Sequence, residues 1–399
     1  MGTKQYDSAT DLITFSRASG GTFLGSNGLL QTAANNVPRI EYDATGAVKG
    51  LLIEEARTNL LTHSNDFTNA VWIKTAASNT ANAGVSPDGT SNANKVVPAT
   101  NAGVHYTYQT LSLPSTDHSF SVYVASSGYG FATICAGSIG TADYYAVVID
   151  LSDGTQTALY SQGSHSKTVT VEPVGSYYRV TISGNRELYY VVGASDTGTY
   201  TPSNYGFKSF SGDGTSGILV YGAQAEAGSF PTSYIPTSGA SATRSRDLAE
   251  IPTSAFGYNN VKGSLVIDVL TPVADQFMVL AYFNTGSYFN SRGFSKSNLN
   301  NSSVGTYYIF AAYDGSSNTK LALTQQTQAV YAKLGLSYGD SERAVRDGGT
   351  VLSGNSRSTN PSRLHLGGRE NGYDDQCWVK SIQYYPRQLT DTQLQELTT

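Results

Sequence analysis

The chain has 399 residues, 39% of them hydrophobic and only 14% charged, with 41 glycines and a formal net charge of −5. That length supports two or three domains with true cores. The absence of any long basic run disfavours nucleic acid, which needs a positive face, and no stretch approaches the roughly 20 apolar residues of a membrane helix. Polarity comes from Ser, Thr, Asn, Gln and Gly, a composition suited to short strands, tight turns and a neutral, hydroxyl-rich partner such as a glycan. Cys135 and Cys377 are too few for a disulfide framework or a Cys-based metal cluster. The N-terminal MGTKQYDSATDLITF lacks the apolar core of a signal peptide, so cytoplasmic synthesis is expected, with release by assembly or lysis.

Residues 1–60 read as a turn-rich module. Asn27-Gly28 between apolar pairs predicts a hairpin turn, Asp43 and Gly46 mark the next turn, and Gly50–Glu54 predicts a buried strand. Residues 61–245 alternate as strands. They are expected at Lys95–Val97, His105–Leu111, Ser119–Val124, Tyr145–Asp150, Thr155–Tyr160 after an Asp153-Gly154 turn, Lys167–Val171, Tyr177–Ile182, Leu188–Val192 and Ile218–Tyr221. Strands so regularly spaced predict an antiparallel sandwich, with jelly-roll topology. Pro231, Pro236 and the polar tract Thr237–Thr243 mark the exit. Residues 246–399 repeat the pattern: Ser264–Leu270, Phe277–Phe283, Thr306–Tyr313, Lys320–Thr324, Tyr331–Tyr338, Leu364–Gly367 and Trp378–Tyr384. Asp314-Gly315 and Asp347-Gly348 supply turns. Asp391–Leu397 is the one predicted helix, capped by Thr390, with Leu394 and Leu397 on one face.

Motifs for chemistry are weak. Gly212–Gly217 matches G-x-G-x-x-G in letters, but a strand follows where a phosphate site needs a helix, so it reads as a loop. His63, His105, His118, His165 and His365 show no metal-ligand spacing, and there is no G-x-S-x-G elbow. Glu54 and Glu55 are adjacent, so in a strand they point to opposite faces and read as structural, with Arg57 neutralising one. Glu41 and Asp43 share a face, yet lie in the turn-rich leader and not on a sheet that forms a cleft for the paired acids of a glycosidase. Asp374-Asp375 after Gly372 offers loop oxygens to Ca²⁺, although solvated loop acids are the simpler reading. No catalytic residue, metal or cofactor is assigned.

Tyrosine is the stronger signal: 28 Tyr against 14 Phe and 2 Trp. Phe serves a dry core better, whereas Tyr joins an apolar ring to a hydroxyl and suits half-wet surfaces. Sugars, with apolar C–H faces and polar rims, match such rings. The candidate carbohydrate contacts are Tyr106 with Tyr108, Tyr144 with Tyr145, Tyr189 with Tyr190, and Tyr373 beside Arg369 and Asp374. The competing reading is that these tyrosines fill sheet faces and subunit contacts.

With these residues in view, the chain resembles bacteriophage head-spike and tail-fibre proteins, including spikes of gene transfer agents. The resemblance rests on Ile13–Ser19 (ITFSRAS), Pro38–Asp43 (PRIEYD), Gly50–Leu61 (GLLIEEARTNLL), Phe67, Ala70 and Trp72 up to Lys74, and Gly222–Thr237 (GAQAEAGSFPTSYIPT). Between them, Tyr177–Val180 sits in what is similar to a carbohydrate-binding-module jelly roll. Leu364–Arg369 and Ile382–Leu397 resemble laminin-G or concanavalin-like domains of the same proteins. The resemblance implies an all-β virion spike or fibre: an N-terminal module (1–60), possibly for particle attachment, a jelly roll (61–245) and a concanavalin/laminin-G-like sandwich (246–399). It implies adhesion to host surface or capsular polysaccharide without bond cleavage, with other virion proteins and further copies of the chain as partners, and no nucleic acid or membrane. A decoration protein without glycan binding and a depolymerising tailspike are the alternatives.

Overall fold

The computed structural model describes residues 12–399 except 112–115, 139–142, 163–166, 186–188, 202–205, 273–277, 286–290, 299–305, 315–317, 327–330 and 368–375. The protein is all-β, built from antiparallel sheets, and its one described α-helix is Asp391–Thr398. The first sandwich pairs two six-stranded sheets. The front sheet runs Gln156–Gln162, Asp143–Asp150, Phe131–Ser138, Tyr189–Ser195, Tyr106–Thr110, Ile73–Thr75; the back sheet runs Lys167–Val174, Tyr177–Asn185, Asp117–Ser127, Gly217–Ala227, Ala93–Pro98, Ala77–Gly84. Alternate residues of both sheets, among them Phe120, Val122, Ile134, Val147, Val180, Val192 and Val220, meet in one apolar core, with Trp72 stacked on Phe67 at 4.3 Å at its edge.

The second sandwich faces two seven-stranded sheets across a core of Leu265, Ile267, Phe283, Phe294, Leu334 and Leu366. The run of strands from Gly263 onward belongs to it, preceded by Leu248–Pro252, and the leader expected as a module of its own is divided. Thr14–Ser16 pairs with Leu248–Pro252 at the edge of one sheet. Val48–Ile53 pairs with Cys377–Tyr385 and carries Arg39–Tyr42 to the edge of the other. The first sandwich is thus inserted between strands of the second. The remaining leader hairpin, Gly21–Leu24 with Leu30–Ala33, turns at Asn27-Gly28 as predicted, where Gly28 takes φ +73°.

The leader motifs and the FPTSYIPT segment meet in a buried polar clasp. Glu54 accepts from the Ser233 backbone N–H and hydroxyl, both at 2.7 Å, and from Gln376 at 3.0 Å, and it pairs with Arg39 at 2.8 Å and Arg244 at 3.4 Å. Asp247 pairs with Arg39 at 2.5 Å and Arg17 at 3.1 Å and accepts the Glu54 N–H at 2.9 Å. All five of these charged side chains are within 1% of full burial. Asn59 bonds the carbonyls of Ala223 and Ile235 and accepts from Ala225 and Leu61. Glu226 accepts from Thr232 through backbone and side chain. The motifs of the resemblance are therefore joints. Glu54 and Glu55 are structural as expected, with Glu55 salt-bridged to Arg57.

The helix follows its sequence signals: Thr390 and Gln393 form a reciprocal capping box, and Leu394 is buried beside Val345 and Leu389 with Leu397 against them. Thr390→Ala is expected to cost about 1 kcal/mol, read as a lower denaturant midpoint with an unchanged slope.

Strands not anticipated include Phe131–Ser138, Leu248–Pro252, Ser291–Asn298, Ser341–Arg346 and Leu352–Asn355. Phe131–Ser138 (FATICAGS) mixes small and apolar residues with no polar alternation because both its faces are covered. The Asp314-Gly315 turn includes residue 315, outside the described residues.

Candidate functional site

Each sheet of the first sandwich has an outer face, and the two differ. On the back sheet, Tyr123, Tyr177 and Tyr221 project outward beside Ala93 and are buried under Tyr234 of the closing segment and Leu24 of the leader hairpin. Tyr123, Tyr221 and Tyr234 meet edge-on or tilted at 5.6–6.2 Å. Burial holds the Tyr234 phenol well above its ordinary pKa, and its hydroxyl is paired with Ser64 at 2.6 Å. These tyrosines do what the structural reading of the composition expects: they fill a sheet face.

The outer face of the front sheet carries a second aromatic cluster. Strand alternation sends Tyr144 and Ala146, Cys135 and Gly137, Tyr189 and Val191, and Tyr106 and Tyr108 to this side. Tyr144 and Tyr189 both pair with Gly137, so two strand spacings, about 10 Å, separate their backbones with no side chain between them. One aromatic ladder runs Phe207, Tyr106, Tyr108, Tyr189, with centroids 4.8, 5.9 and 5.7 Å apart. The other runs Tyr144, Tyr160, Tyr200 at 5.3 and 5.1 Å. Phe207 is buried against the sheet because Gly193 beneath it lacks a Cβ; one there would stand 2.9 Å from the Phe207 ring. Tyr106 and Tyr144 are buried as wall residues, Tyr108, Tyr160 and Tyr189 are half-buried, and Tyr200 is 38% exposed. The Tyr160 hydroxyl donates to Gln162 at 3.2 Å.

The expected tyrosine pairs are thus split. Tyr106 and Tyr108, two apart, share the outer face as expected. Tyr145 and Tyr190 point the other way, into the inter-sheet core, where Tyr190 lies 5.1 Å from Phe120. As neighbours of Tyr144 and Tyr189 they must face the opposite side, and no ligand on the outer face reaches them. Tyr160 and Tyr200 were not singled out by sequence; Tyr160 was legible as an alternate position of its strand, Tyr200 was not. Arg369, Tyr373 and Asp374, with the Asp374-Asp375 candidate for Ca²⁺, lie outside the described residues.

The other candidates resolve into structure. Asp43 turns its chain by accepting from Thr45 and Ala47, bonds that hold its carboxyl below the usual range. Glu41 accepts from the Trp378 indole and the Leu24 N–H and pairs with Lys49 at 3.5 Å. These two acids therefore serve separate joints. Asp213 bonds the Thr215 and Ser216 N–H groups, making Gly212–Gly217 a loop ahead of a strand. Both ring nitrogens of buried His105 meet carbonyl oxygens, of Ala76 and Phe210. Among the described residues there is no group of three or more His, Cys, Asp or Glu placed to hold a metal. A cavity of about 670 Å³ beside the clasp is lined by Glu55, Arg57, Thr58 and Asp117, and Arg57 stacks over Phe230 at 4.9 Å.

No family model and no curated protein matches the chain. Among solved structures it is similar to the Ruminococcus gnavus IT-sialidase CBM40, at 16% identity and a TM-score of 0.30 over 37% of this chain and 87% of that one. It is similar to domains LG4-5 of the mouse laminin alpha1 chain, at 10% identity and a TM-score of 0.27 over 73% of this chain and 90% of that one. It is also similar to Trypanosoma rangeli sialidase, at 10% identity and a TM-score of 0.30 over 77% of this chain, which spans 60% of that enzyme's length.

Proposed function

We propose that the protein is a glycan-binding adhesin whose contact surface is the outer face of the front sheet. The observation that carries this reading is the gathering of the half-buried rings of Tyr108, Tyr160 and Tyr189 and the exposed ring of Tyr200 around buried Phe207 on the outer face of the front sheet, while the tyrosines on the outer face of the back sheet are sealed. Aromatic rings present flat apolar area at low entropic cost, and phenol hydroxyls add polar contacts at the rim. A saccharide offers the complementary surface.

The finer reading follows from the motif resemblance: a spike or fibre on a virion surface, assembled in the bacterial cytoplasm, contacting capsid or tail proteins and host polysaccharide. Several copies on one particle raise the effective concentration at the second site and offset weak single-site sugar binding, so a homo-oligomer belongs to the proposal. The test is incubation of the full chain with purified capsular polysaccharide from candidate bacterial strains, scoring co-sedimentation and reducing ends together. Retention without new reducing ends is expected. Release of reducing ends overturns the adhesin reading in favour of a depolymerase, and failure to retain any polymer favours the decoration role.

A further inference from the structure

The front sheet of the first sandwich ends in the strand Gln156–Gln162, which pairs with Asp143–Asp150 on one side only. An edge strand offers a row of backbone N–H and C=O groups to any strand that reaches it, and folded proteins blunt that row with charge, proline, irregular backbone or shortness. The other edges of the four large sheets follow this rule. Lys167–Val174 carries Lys167, Glu172 and Pro173, and Asn318–Gln326 carries Lys320. Ala77–Gly84 slips register between Thr80 and Gly84, with Asn82 at φ +53°. The remaining edges, Thr14–Ser16, Ile73–Thr75, Arg39–Tyr42 and Leu352–Asn355, are three or four residues long.

Gln156–Gln162 (QTALYSQ) has no charged residue and no proline. Its one irregularity, at Thr157, leaves Ala158–Gln162 in regular register with the strand beside it. Leu159 is 40% exposed although it pairs with Val147, a core residue, on the inward side of the sheet. The sequence is also close to symmetric about Leu159, with Ala158 against Tyr160, Thr157 against Ser161 and Gln156 against Gln162. Antiparallel pairing of this strand with itself therefore sets Leu on Leu, a small residue opposite each Tyr, hydroxyl opposite hydroxyl and amide opposite amide, and no like charges meet. The next register that keeps the inward side chains together sets Leu159 against Ser161 and loses the apolar match.

We infer that Gln156–Gln162 is the contact through which two copies of this chain associate, antiparallel about a two-fold axis at Leu159, so that their front sheets become one. The contact is isologous, the same patch serving both copies. It gives the homo-oligomer of the functional reading a surface, and it stands whether or not a glycan binds. The axis is perpendicular to the sheet, so both outer faces lie on one side and the Tyr160 and Tyr200 rings of each copy flank the junction. Two aromatic surfaces then address one polymer together. A ladder this short belongs to the small interfaces, for which association in the micromolar range is expected.

Sedimentation velocity of the full chain over a concentration series is expected to show a monomer–dimer equilibrium. Leu159→Lys sets two ammonium groups against each other at the axis and is expected to weaken the dimer by about tenfold or more, with an unchanged circular dichroism spectrum. Leu159→Cys is expected to form a disulfide-linked dimer on mild oxidation, because directly opposite Cβ atoms stand about 4.5–5.5 Å apart and both native cysteines, Cys135 and Cys377, are buried. Thr80→Cys, exposed on the edge Ala77–Gly84 of the other sheet, is the control and is expected to stay uncrosslinked. A wild type that stays monomeric throughout the series overturns the inference. So does an oligomer that Leu159→Lys leaves intact, or a Leu159→Cys variant no more crosslinked than Thr80→Cys. Polysaccharide retention is read on the same samples. A monomer that retains polymer removes this interface and leaves the adhesin reading standing; a Leu159-dependent dimer that retains none supports the interface and counts against the adhesin.

Discussion

Tyr189→Ala is expected to reduce retention of the cognate polysaccharide by roughly 30-fold, about 2 kcal/mol, the loss of one central aromatic anchor. Tyr189 is half-buried on the outer face, its ring 5.7 Å from Tyr108, and its backbone pairs with Gly137 opposite Tyr144. Truncation removes a ring from the middle of the surface without opening the inter-sheet core. Tyr108→Ala is expected to act in the same direction. The informative controls are Tyr145→Phe and Tyr190→Phe. Both rings face the core, so both variants are expected to retain polymer like wild type. Equal loss in the inward- and outward-facing variants, measured by affinity electrophoresis with circular dichroism to confirm the fold, would remove the aromatic face as the site.

Glu54→Gln is expected to destabilise the protein by about 3–5 kcal/mol, because breaking one side of a buried charge cluster leaves its partners uncompensated. Arg39 would then be left with Asp247, which it shares with Arg17, and Arg244 would lose the carboxylate it faces. The same residue shapes the acid limb of stability. Burial pushes the Glu54 carboxyl upward, but Arg244, Arg39 and the two bonds from Ser233 outweigh it and hold the pKa at about 2 against an ordinary 4.5. Ionised Glu54 therefore stabilises the fold fully above about pH 4.5, and that contribution is lost as the pH falls toward 2. The amount at stake is about 3 kcal/mol. The gap between the denaturant midpoints of wild type and Glu54→Gln is expected to narrow from pH 7 to pH 3; parallel acid limbs would show that the carboxylate's charge is not what the clasp uses.

How far the sequence could be read follows from which interactions are local. Period-2 alternation and Gly or Asp-Gly turns are local, so most strands of both sandwiches, the Asn27-Gly28 hairpin and the capped helix at Asp391 were legible. Phe131–Ser138 was not, because a strand covered on both faces loses the alternation that marks it. Nor was the division of the leader, since a strand such as Val48–Ile53 states that it is buried but not which sheet buries it, and its partner lies more than 300 residues away at Cys377–Tyr385. At the candidate site, Tyr106 and Tyr108 were grouped correctly by their spacing of two. Tyr144-Tyr145 and Tyr189-Tyr190 were grouped by adjacency, which in a strand places the two rings on opposite sides.

The amino-acid order alone determined a β-protein poor in ions and rich in phenol rings, since composition and alternation act within a few residues. Which rings face outward together, and which of them keep exposed area, only the tertiary structure decided. Tyr123 and Tyr108 are alike in sequence context; one lies beneath Tyr234, folded back from beyond the end of its sheet, and the other does not. Coverage of a face is set by distant segments docking through buried charges, and no local pattern encodes where those segments come to rest.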